Sequence, residues 1–381
     1  MPVEDLGLRR AAPALAVFAA VRLLGTAVLA GWGAAVGSSA HTLLSARWDS
    51  LWYARIAAEG YGYEVVLPNG DVHANLAFFP LLPWLERLVS GATGLGYGSA
   101  GLAVSAVAGL AAAWGIFAVA GAVCRERWPE ADARRVGVCA VAVWAALPVG
   151  VVQSMAYSEA LFTALAAWAL YAVLRGWWPA AGLLAAGAGL TRPVGAAVVA
   201  AVWTAAALAW RRGERSWRIA AGAVLAPAGA AAYVLWVGAY TGEGLLGYLR
   251  VQEGWGNGFD GGLAFARFAA AMLAEGPGPA AAGLALAAGV LLVLWLYALC
   301  VRQRQPAPLL VYTGIVVALA LGASGYFGSK PRLLLPAFPL LLPAALALAR
   351  WRPRRATALL GTAALVSAVY GAFWLNGSGP P

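Results

Sequence analysis

The stretch RWDSLWYARIAAEGYGYE, residues 47–64, directly follows the first long apolar segment of the chain. Its first polar and aromatic residues are, in order, Arg47, Trp48, Asp49, Ser50, Trp52 and Tyr53. A carboxylate at a membrane boundary costs free energy, so ionisable residues kept in such places usually have a function. Tryptophan and tyrosine also gather at membrane interfaces, because their rings are apolar with polar tips. The stretch therefore indicates either a reaction centre around Asp49 or an interfacial anchor with a solvated aspartate.

The composition around this stretch is that of a polytopic membrane protein. Hydrophobic residues make up 62% of the 381 residues, charged residues make up 11%, and the mean hydropathy is +0.75. A soluble globular domain is roughly 45–50% apolar and about 25% charged. Since a membrane span needs about 20 apolar residues, the chain has room for about ten spans with short loops.

Eleven apolar runs, separated by charged residues and turns, predict eleven spans. They cover residues 11–36, 98–123, 136–155, 158–174, 178–191, 193–210, 219–240, 279–301, 309–324, 333–349 and 356–374. The short runs between 158 and 191 predict broken or tilted helices. The apolar segment 74–90 is interrupted by Pro80 and Pro83, so we predict a re-entrant or interfacial helix there.

Arginine is concentrated on one side of this eleven-span topology. That side holds 17 of the 26 basic residues and six acids, the other side holds eight basic residues and ten acids, and Arg22 lies inside the first span. Short arginine-rich loops stay in the cytoplasm, so we expect a cytoplasmic N-terminus and an external C-terminus. The net charge of +10 follows from this topogenic excess, and we predict no nucleic-acid partner.

The other candidate functional residues gather on the extracytoplasmic side, in the loops 37–97 and 241–278 and at the ends of spans. The candidates for contacting a substrate are Arg47, Trp48, Trp52, Tyr53, His73, Tyr157, Glu159, Gln252 and Trp255. The candidates for binding a phosphate are Arg192, Arg250, Arg332 and Lys330, the one lysine of the chain.

Each of these groups also has a simpler interpretation. Arg192 is able to snorkel to the interface, and Glu159 is a favourable charge at a helix N-terminus. Lys330 and Arg332 suit anchoring to lipid headgroups. His73 and the other histidine, His41, lack the HExxH type of spacing, and the three cysteines suit neither a metal site nor a disulfide framework. We therefore predict no metal site, while a requirement for a divalent ion in solution stays open.

Taken together, the polar blocks of the chain resemble the PIG-V type mannosyltransferases. The blocks are RWDSLWYARIAAEGY (47–61), FFPLLPWLERL (78–88), YSEALF (157–162), TRPVG (191–195) and KPRLLLPAFPLLLP (330–343). This family includes the eukaryotic enzyme that adds the second mannose to glycosylphosphatidylinositol, and many bacterial relatives. It is part of the GT-C superfamily of polytopic enzymes that use lipid-phosphate sugar donors. The chain departs from the pattern at Arg47, where many relatives have histidine, and at Pro193-Val194, which leaves the acceptor and the sugar open.

The resemblance implies an all-α polytopic membrane protein, a GT-C-like bundle of about 11 transmembrane helices with a structured first extracytoplasmic loop. It implies one domain over residues 1–381, located in a bacterial cell membrane. The implied substrates are a polyprenyl-phosphate sugar donor, with mannose as the sugar, and a glycan or glycolipid acceptor, with membrane lipid as the surroundings. No cofactor is implied.

The chemistry of such a transfer matches the residues. A sugar on a lipid phosphate already has a good leaving group, whereas the attacking hydroxyl needs a base, and a positioned carboxylate supplies roughly 10²–10⁴-fold. Asp49 is the best candidate for this base. Arginine binds phosphate through paired, charge-assisted hydrogen bonds, and Lys330 and Arg332 precede the span 333–349, along which a prenyl tail would lie. Such an attack inverts the anomeric centre.

Two other classes of protein share this architecture. A transporter or lipid flippase usually carries ionisable groups at the membrane midplane, whereas the charges of this chain cluster at one face. A ligase that moves a whole lipid-linked glycan stays open. Turnover of a radiolabelled polyprenyl-phosphate sugar by the purified protein separates the three classes.

We expect the loop 37–75 and the segment 325–332 to lie on the same, non-cytoplasmic side, because the arginine-rich loops face inward. In a variant without native cysteines, Asp71→Cys and Tyr326→Cys should each react with a membrane-impermeant maleimide added to intact cells. Arg212→Cys, on the cytoplasmic side, should react only after the membrane is opened. Labelling of the first two sites from opposite sides would contradict both the orientation and a shared active site.

Overall fold

The computed structural model describes residues 7–377, and this part of the chain is mainly helical, with one small β-hairpin. Glu4 and Asp5, two of the acids counted on the cytoplasmic side, lie outside the described residues. The hairpin pairs β1 (Glu64–Val66) with β2 (Val72–Ala74) in antiparallel register, with Val65 opposite His73.

The helices follow one another along the chain with short connections. They are α1 (Leu8–Val36), α2 (Ala40–Ser45), α3 (Asp49–Glu59), α4 (Leu81–Thr93), α5 (Tyr97–Arg127), α6 (Ala133–Ala145), α7 (Glu159–Arg175), α8 (Trp178–Gly189), α9 (Gly195–Arg211), α10 (Trp217–Leu225), α11 (Ala228–Thr241), α12 (Gly247–Gly254), α13 (Leu263–Ala274), α14 (Pro277–Arg302), α15 (Ala307–Gly322), α16 (Lys330–Leu333), α17 (Leu342–Arg350) and α18 (Pro353–Leu375).

Five helices within residues 7–377 are long and apolar enough to cross a membrane, or seven if each of two bent helix pairs is one span. The five are α1, α5, α10 continued by α11, α14 and α18. The first bent pair joins α6 to a 3₁₀ turn at an angle of 89°, and the second leads through α16 into α17 at 73°. The all-α, multi-pass architecture is therefore confirmed. The count of eleven spans stays a prediction, because the other apolar runs form helices of only 12 to 17 residues.

Both bends free backbone carbonyl groups, which a membrane interior cannot hydrate and which must be satisfied within the protein. At the first bend, the guanidinium of Arg22 on α1 donates to the carbonyl oxygens of Ala145 and Gly150. This is the one basic residue that the sequence places inside a span. A charge at that depth is normally costly, and here it caps a broken helix.

The second bend is satisfied by neutral donors. Trp144 Nε1 donates to the carbonyl oxygen of Leu335 at 3.0 Å. Tyr312 donates its hydroxyl hydrogen to the carbonyl oxygen of Pro336 at 2.8 Å. Both donors belong to the main hydrophobic core, which is built on α5, α6, α7 and α9. Both bends are thus stabilised by hydrogen bonds from side chains of the helix bundle.

The segment 333–349 is buried in this core. Leu335, Phe338, Leu342 and Leu346 are all at most 4% exposed, because α17 packs against α6. Most of this segment therefore faces protein, and the prediction that a prenyl tail lies along it stays a prediction that rests on the narrow, partly exposed stripe of Leu341, Ala344 and Ala347.

The two polar segments predicted as extracytoplasmic loops fold onto one another. The first contains α2, α3, the hairpin and α4, and the helix α4 lies in the segment for which a re-entrant or interfacial helix was predicted. The second contributes α12, which packs against β2, and Trp255 Nε1 donates to the carbonyl oxygen of Ala74 at 3.0 Å. Phe259 then forms a β-bridge with Ala323, at the end of α15. This layer holds α3 in place above the bundle.

Arg22→Met should destabilise the protein, because it leaves two buried carbonyl groups unpaired at about 1–3 kcal/mol each. Arg87→Met, at an exposed position, is the matched control and should change stability little. Thermal unfolding in detergent, followed by the loss of monodisperse protein, measures both. Equal unfolding midpoints for the two variants would contradict the capping role of Arg22.

Candidate active site

Asp49 is the first residue of α3, and the backbone just before it is unusual. Trp48 has φ 52°, in the left-handed region that a bulky residue rarely adopts. A hydrogen-bonded loop stabilises this turn, since the backbone N–H of Arg47 donates to Ser50 Oγ and Ser50 Oγ donates back to the carbonyl oxygen of Arg47. The turn starts a helix at the aspartate, and a negative charge at a helix N-terminus interacts favourably with the helix dipole.

Four charged side chains form an alternating chain that begins at Asp49. Arg332 Nη1 lies 2.7 Å from Asp49 Oδ2, and Arg332 Nε lies 3.4 Å from Glu159 Oε1. Arg192 Nη1 pairs with the same Glu159 oxygen. Glu159 meets both guanidinium groups as ion pairs without well-aligned hydrogen bonds. Two carboxylates and two guanidinium groups thus balance each other at the outer ends of α3, α7 and α16.

Burial differs along this chain of charges. The Glu159 side chain is 2% exposed and that of Arg332 is 11% exposed, whereas that of Asp49 is 25% exposed. Within residues 7–377, only Oδ2 of Asp49 accepts a hydrogen bond, from Arg332, so Oδ1 is available. Asp49 is therefore the most exposed member of this chain of charges.

Neutral hydroxyl groups complete the cluster. Tyr53 donates to Ser158 Oγ at 2.9 Å, and Arg192 Nη1 donates to the same oxygen at 3.2 Å. Burial raises the pKa of the Tyr53 hydroxyl well above its usual value, so it stays protonated and acts as a donor. The backbone N–H of Asp49 donates to the Tyr157 hydroxyl at 3.4 Å, and the Arg332 guanidinium lies 5.2 Å from the centre of the Tyr157 ring.

A second group of predicted residues forms an aromatic cluster on the outer layer. Trp52, one turn of α3 beyond Asp49, stacks on Phe78 with ring centroids 5.6 Å apart and meets Trp255 edge-on at 5.0 Å. His73 stacks on Trp255 at 4.1 Å. Phe78 also meets Tyr53 edge-on at 5.2 Å, which joins the aromatic cluster to the hydroxyl cluster. Flat, half-buried rings beside a carboxylate suit stacking against a sugar.

Lys330 has a structural role that the sequence of the chain did not indicate. Its ammonium donates to the carbonyl oxygens of Ala320, Leu321 and Ala323 at 3.0, 3.3 and 2.7 Å, and it is only 4% exposed. Three hydrogen bonds use all three donors of the ammonium group. Lys330 thus caps the C-terminal end of α15 and leaves no free donor for a phosphate.

Three other predicted residues are engaged away from the charge chain. Arg47 donates to the carbonyl oxygen of Leu375 at 2.8 Å, at the end of α18. Arg250 forms an exposed ion pair with Glu243 at 2.9 Å, and Gln252 donates to the Tyr248 hydroxyl at 2.7 Å. These contacts anchor the three side chains in the outer layer or at the end of α18, and the role of Arg47, Arg250 and Gln252 as substrate ligands stays a prediction.

Two contributors were not among the candidates drawn from the sequence. Phe78 is central to the aromatic cluster, and its place in the FFPLLP block was a usable signal. Arg55 lies over the Tyr63 ring, 3.6 Å from its centre, and nothing in the sequence marks that pair. Within residues 7–377, no group of three or more histidine, cysteine, aspartate or glutamate side chains is arranged to hold a metal ion.

Comparison with known proteins supports the fold. No family model and no curated protein matches the chain, but several solved structures do. One is ArnT from Cupriavidus metallidurans bound to undecaprenyl phosphate, with a TM-score of 0.53 and 19% identity over 89% of this chain and 62% of that chain. Another is the Archaeoglobus fulgidus oligosaccharyltransferase in complex with zinc and sulfate, with a TM-score of 0.51 and 14% identity over 95% of this chain and 53% of that one.

A third structure is the oligosaccharyltransferase AglB from Archaeoglobus fulgidus, in complex with an inhibitory peptide and a dolichol-phosphate. Its TM-score is 0.50 at 13% identity, over 96% of this chain and 56% of that chain. This chain therefore spans between about half and two thirds of the length of these neighbours. At such identities the similarity shows the fold alone, which is the one that ArnT and the two oligosaccharyltransferase structures share. It does not show membership in the PIG-V family.

Proposed function

We propose that this protein is an inverting glycosyltransferase. It moves a sugar from a polyprenyl-phosphate donor to a glycan or glycolipid acceptor at the extracytoplasmic face of a bacterial membrane. The observation that carries the proposal is the Asp49 carboxylate, ordered at a helix start with one oxygen on Arg332 and the other available. The solved neighbours that contain undecaprenyl phosphate or a dolichol-phosphate support a lipid-phosphate donor in this fold.

In the proposed reaction, Asp49 removes the proton of the acceptor hydroxyl as that oxygen attacks the anomeric carbon. The bond from this carbon to the phosphate oxygen breaks, and the electron pair leaves with the lipid phosphate. Arg332 and Arg192 are the cations placed to stabilise this phosphate, since guanidinium groups bind phosphate oxygens in pairs. Attack from the face opposite the phosphate inverts the configuration, so a β-linked donor gives an α-linked product.

Mannose is the sugar that we propose, because the block at residues 47–61 resembles the PIG-V type mannosyltransferases. The half-buried faces of Trp52 and Trp255 are proposed to hold the acceptor sugar. Lys330, Arg47, Arg250 and Gln252 have structural contacts and are not part of the proposed binding site.

The second candidate is a ligase that transfers a whole lipid-linked glycan, which two oligosaccharyltransferase neighbours favour. Purified protein supplied with a radiolabelled polyprenyl-phosphate mannose distinguishes the two. Transfer of a single mannose supports the first candidate, and transfer only from a lipid-linked oligosaccharide supports the second. Movement of labelled lipid across a vesicle membrane without covalent transfer would support the transporter class.

Asp49→Asn should keep the fold and lower turnover by at least about 10²-fold, the contribution expected of a general base. Binding of the donor should change much less, because asparagine preserves the shape of the side chain. Glu253→Gln, at an exposed position in the outer layer, is the matched control and should leave turnover unchanged. Turnover by Asp49→Asn near the wild-type value would exclude Asp49 as the base.

Arg332→Ala should raise the Michaelis constant for the donor and lower turnover over Michaelis constant roughly ten- to a hundredfold, since each lost charge-assisted bond costs about 1.5–3 kcal/mol. Arg332→Lys should recover part of this, because a point charge does not reproduce the planar fork. Arg267→Ala, at an exposed position, serves as the control. A folded Arg332→Ala protein with normal donor kinetics would leave Arg192 as the phosphate ligand.

A further inference from the structure

A cavity of about 430 Å³ lies between α1, α5 and α6, at the end of the bundle opposite the candidate active site. Gly101 of α5 packs against Ala156, which is next to the active-site residue Tyr157. Arg125 lines the cavity and lies about 36 Å further along the axis of α5. The cavity is therefore separate from the chain of charges around Asp49. The distribution of arginine predicts that this end of the bundle is cytoplasmic.

Guanidinium groups from three helices converge on this cavity. Arg10 comes from the first turn of α1, Arg125 from the last turn of α5, and Arg134 from the first turn of α6. Within residues 7–377, Asp132 is the one acid that lines the cavity, and it caps α6 by accepting from the backbone N–H groups of Arg134 and Arg135. Arg10 and Arg125 each interact with another group of the protein, but a guanidinium group has five N–H donors and serves several partners at once. The lining therefore attracts an anion.

The acids that are close in sequence to this cavity do not cancel its positive charge. Glu126 pairs with Arg127 at 3.1 Å, and Glu130 pairs with Arg350 at 3.2 Å. Neither glutamate lines the cavity. Among the described residues, the charge that faces the cavity is thus that of three arginines and one capping aspartate.

The side chain of Arg125 lies back along its own helix, toward the membrane interior. Its Nη1 and Nη2 atoms lie 3.4 and 3.6 Å from the position that a Cβ atom on Gly121 would have. Helical side chains lean toward the N-terminus of their helix, and Gly121, one turn earlier, has no side chain that would block this direction. The guanidinium group is therefore directed into the cavity.

The inner part of the cavity is apolar. Phe117 and Ala118 line it, about two turns of α5 deeper than Arg125, and both are at most 6% exposed. The lining from Arg125 to Phe117 covers about 12 Å along the helix axis. A small inorganic anion would leave this apolar part unused, whereas the first part of an acyl chain matches it. The cavity thus has the polarity of a phospholipid, charged at the membrane surface and apolar below it.

We propose that this cavity binds the headgroup of an anionic phospholipid, which joins the ends of α1, α5 and α6. Basic pockets between spanning helices on the cytoplasmic side recognise such headgroups, and the cytoplasmic leaflet is rich in anionic lipid. Membrane orientation explains arginine in short loops, but it does not require that three arginines share one cavity with an apolar inner part. The bound phosphate places a negative charge between like charges on three helices, so it stabilises their packing. The site does not depend on the proposed sugar transfer.

The test measures lipid binding to the whole protein in detergent by native mass spectrometry. Dioleoyl phosphatidylglycerol is the anionic probe, and dioleoyl phosphatidylcholine, with the same acyl chains, is the zwitterionic control. Arg125→Gln removes one charge of the cavity, and Arg134→Gln, at an exposed position, tests the site if the first variant folds poorly. Arg215→Gln, exposed on the same predicted side but outside the cavity, is the matched control variant.

For the wild type and Arg215→Gln, we expect a dissociation constant at least about tenfold lower for phosphatidylglycerol than for phosphatidylcholine, because charge-assisted hydrogen bonds form only with the anionic headgroup's unbalanced charge. In Arg125→Gln and Arg134→Gln, the phosphatidylglycerol value should rise roughly ten- to a hundredfold while the phosphatidylcholine value stays unchanged. Arg125→Lys should recover part of the loss. Unchanged phosphatidylglycerol binding in the folded variants, or equal binding of the two lipids by the wild type, overturns the proposal.

A soluble competitor distinguishes a lipid from a free phosphate compound. Glycerol 3-phosphate has the phosphate chemistry of the headgroup without acyl chains. At about a hundredfold excess it should not displace phosphatidylglycerol, because buried methylene groups strengthen binding of the lipid. Displacement would overturn the lipid assignment and identify the cavity as a site for soluble phosphate compounds.

Discussion

The ion pair between Arg332 and Asp49 joins residues that are 283 positions apart in the chain, and the geometry of the site depends on it. Through Glu159 the same guanidinium also fixes the start of α7. Three helices from three regions of the sequence therefore meet at one charged side chain. Buried charges are tolerated only when they are paired, and removing one partner of such a pair typically costs about 3–5 kcal/mol. The outer end of the bundle is thus held together by the groups proposed to do the chemistry.

The balance of charges in this chain has a consequence for the proposed reaction. Asp49 and Glu159 together neutralise Arg332 and Arg192, so the proposed lipid-phosphate donor meets a site that is already neutral. The phosphate gains its cation only as a guanidinium turns from a carboxylate toward it. If that carboxylate is Asp49, arrival of the donor frees the base, and the two halves of the reaction become coupled. In that case, breaking the one ion pair both supplies the phosphate with its cation and frees the base.

The sequence indicated this centre well where the signal was local. The block around Asp49 combined a carboxylate with interfacial aromatic residues, and the helices fall where the apolar runs predicted them. Where a residue binds backbone groups that are far away in the sequence, its role could not be predicted from the sequence. Lys330 looked like a phosphate ligand because nothing near it in the sequence shows the carbonyl groups of α15 that it caps. In the same way, the apolar run at 333–349 gave no sign that the core, rather than lipid, surrounds it. Whether an apolar helix faces lipid or protein is decided by its neighbours.

Arg22 has a consequence for the membrane insertion of the protein as well as for its final structure. Its two carbonyl partners lie 123 and 128 residues further along the chain. While the ribosome is still synthesising α5 and α6, the first helix therefore carries a charge whose acceptors do not yet exist. A lone arginine in a nascent helix is drawn toward the membrane surface or the insertion machinery. Final seating of α1 therefore follows the insertion of α6, so the N-terminal helix of this protein reaches its native depth only after a helix that is synthesised later.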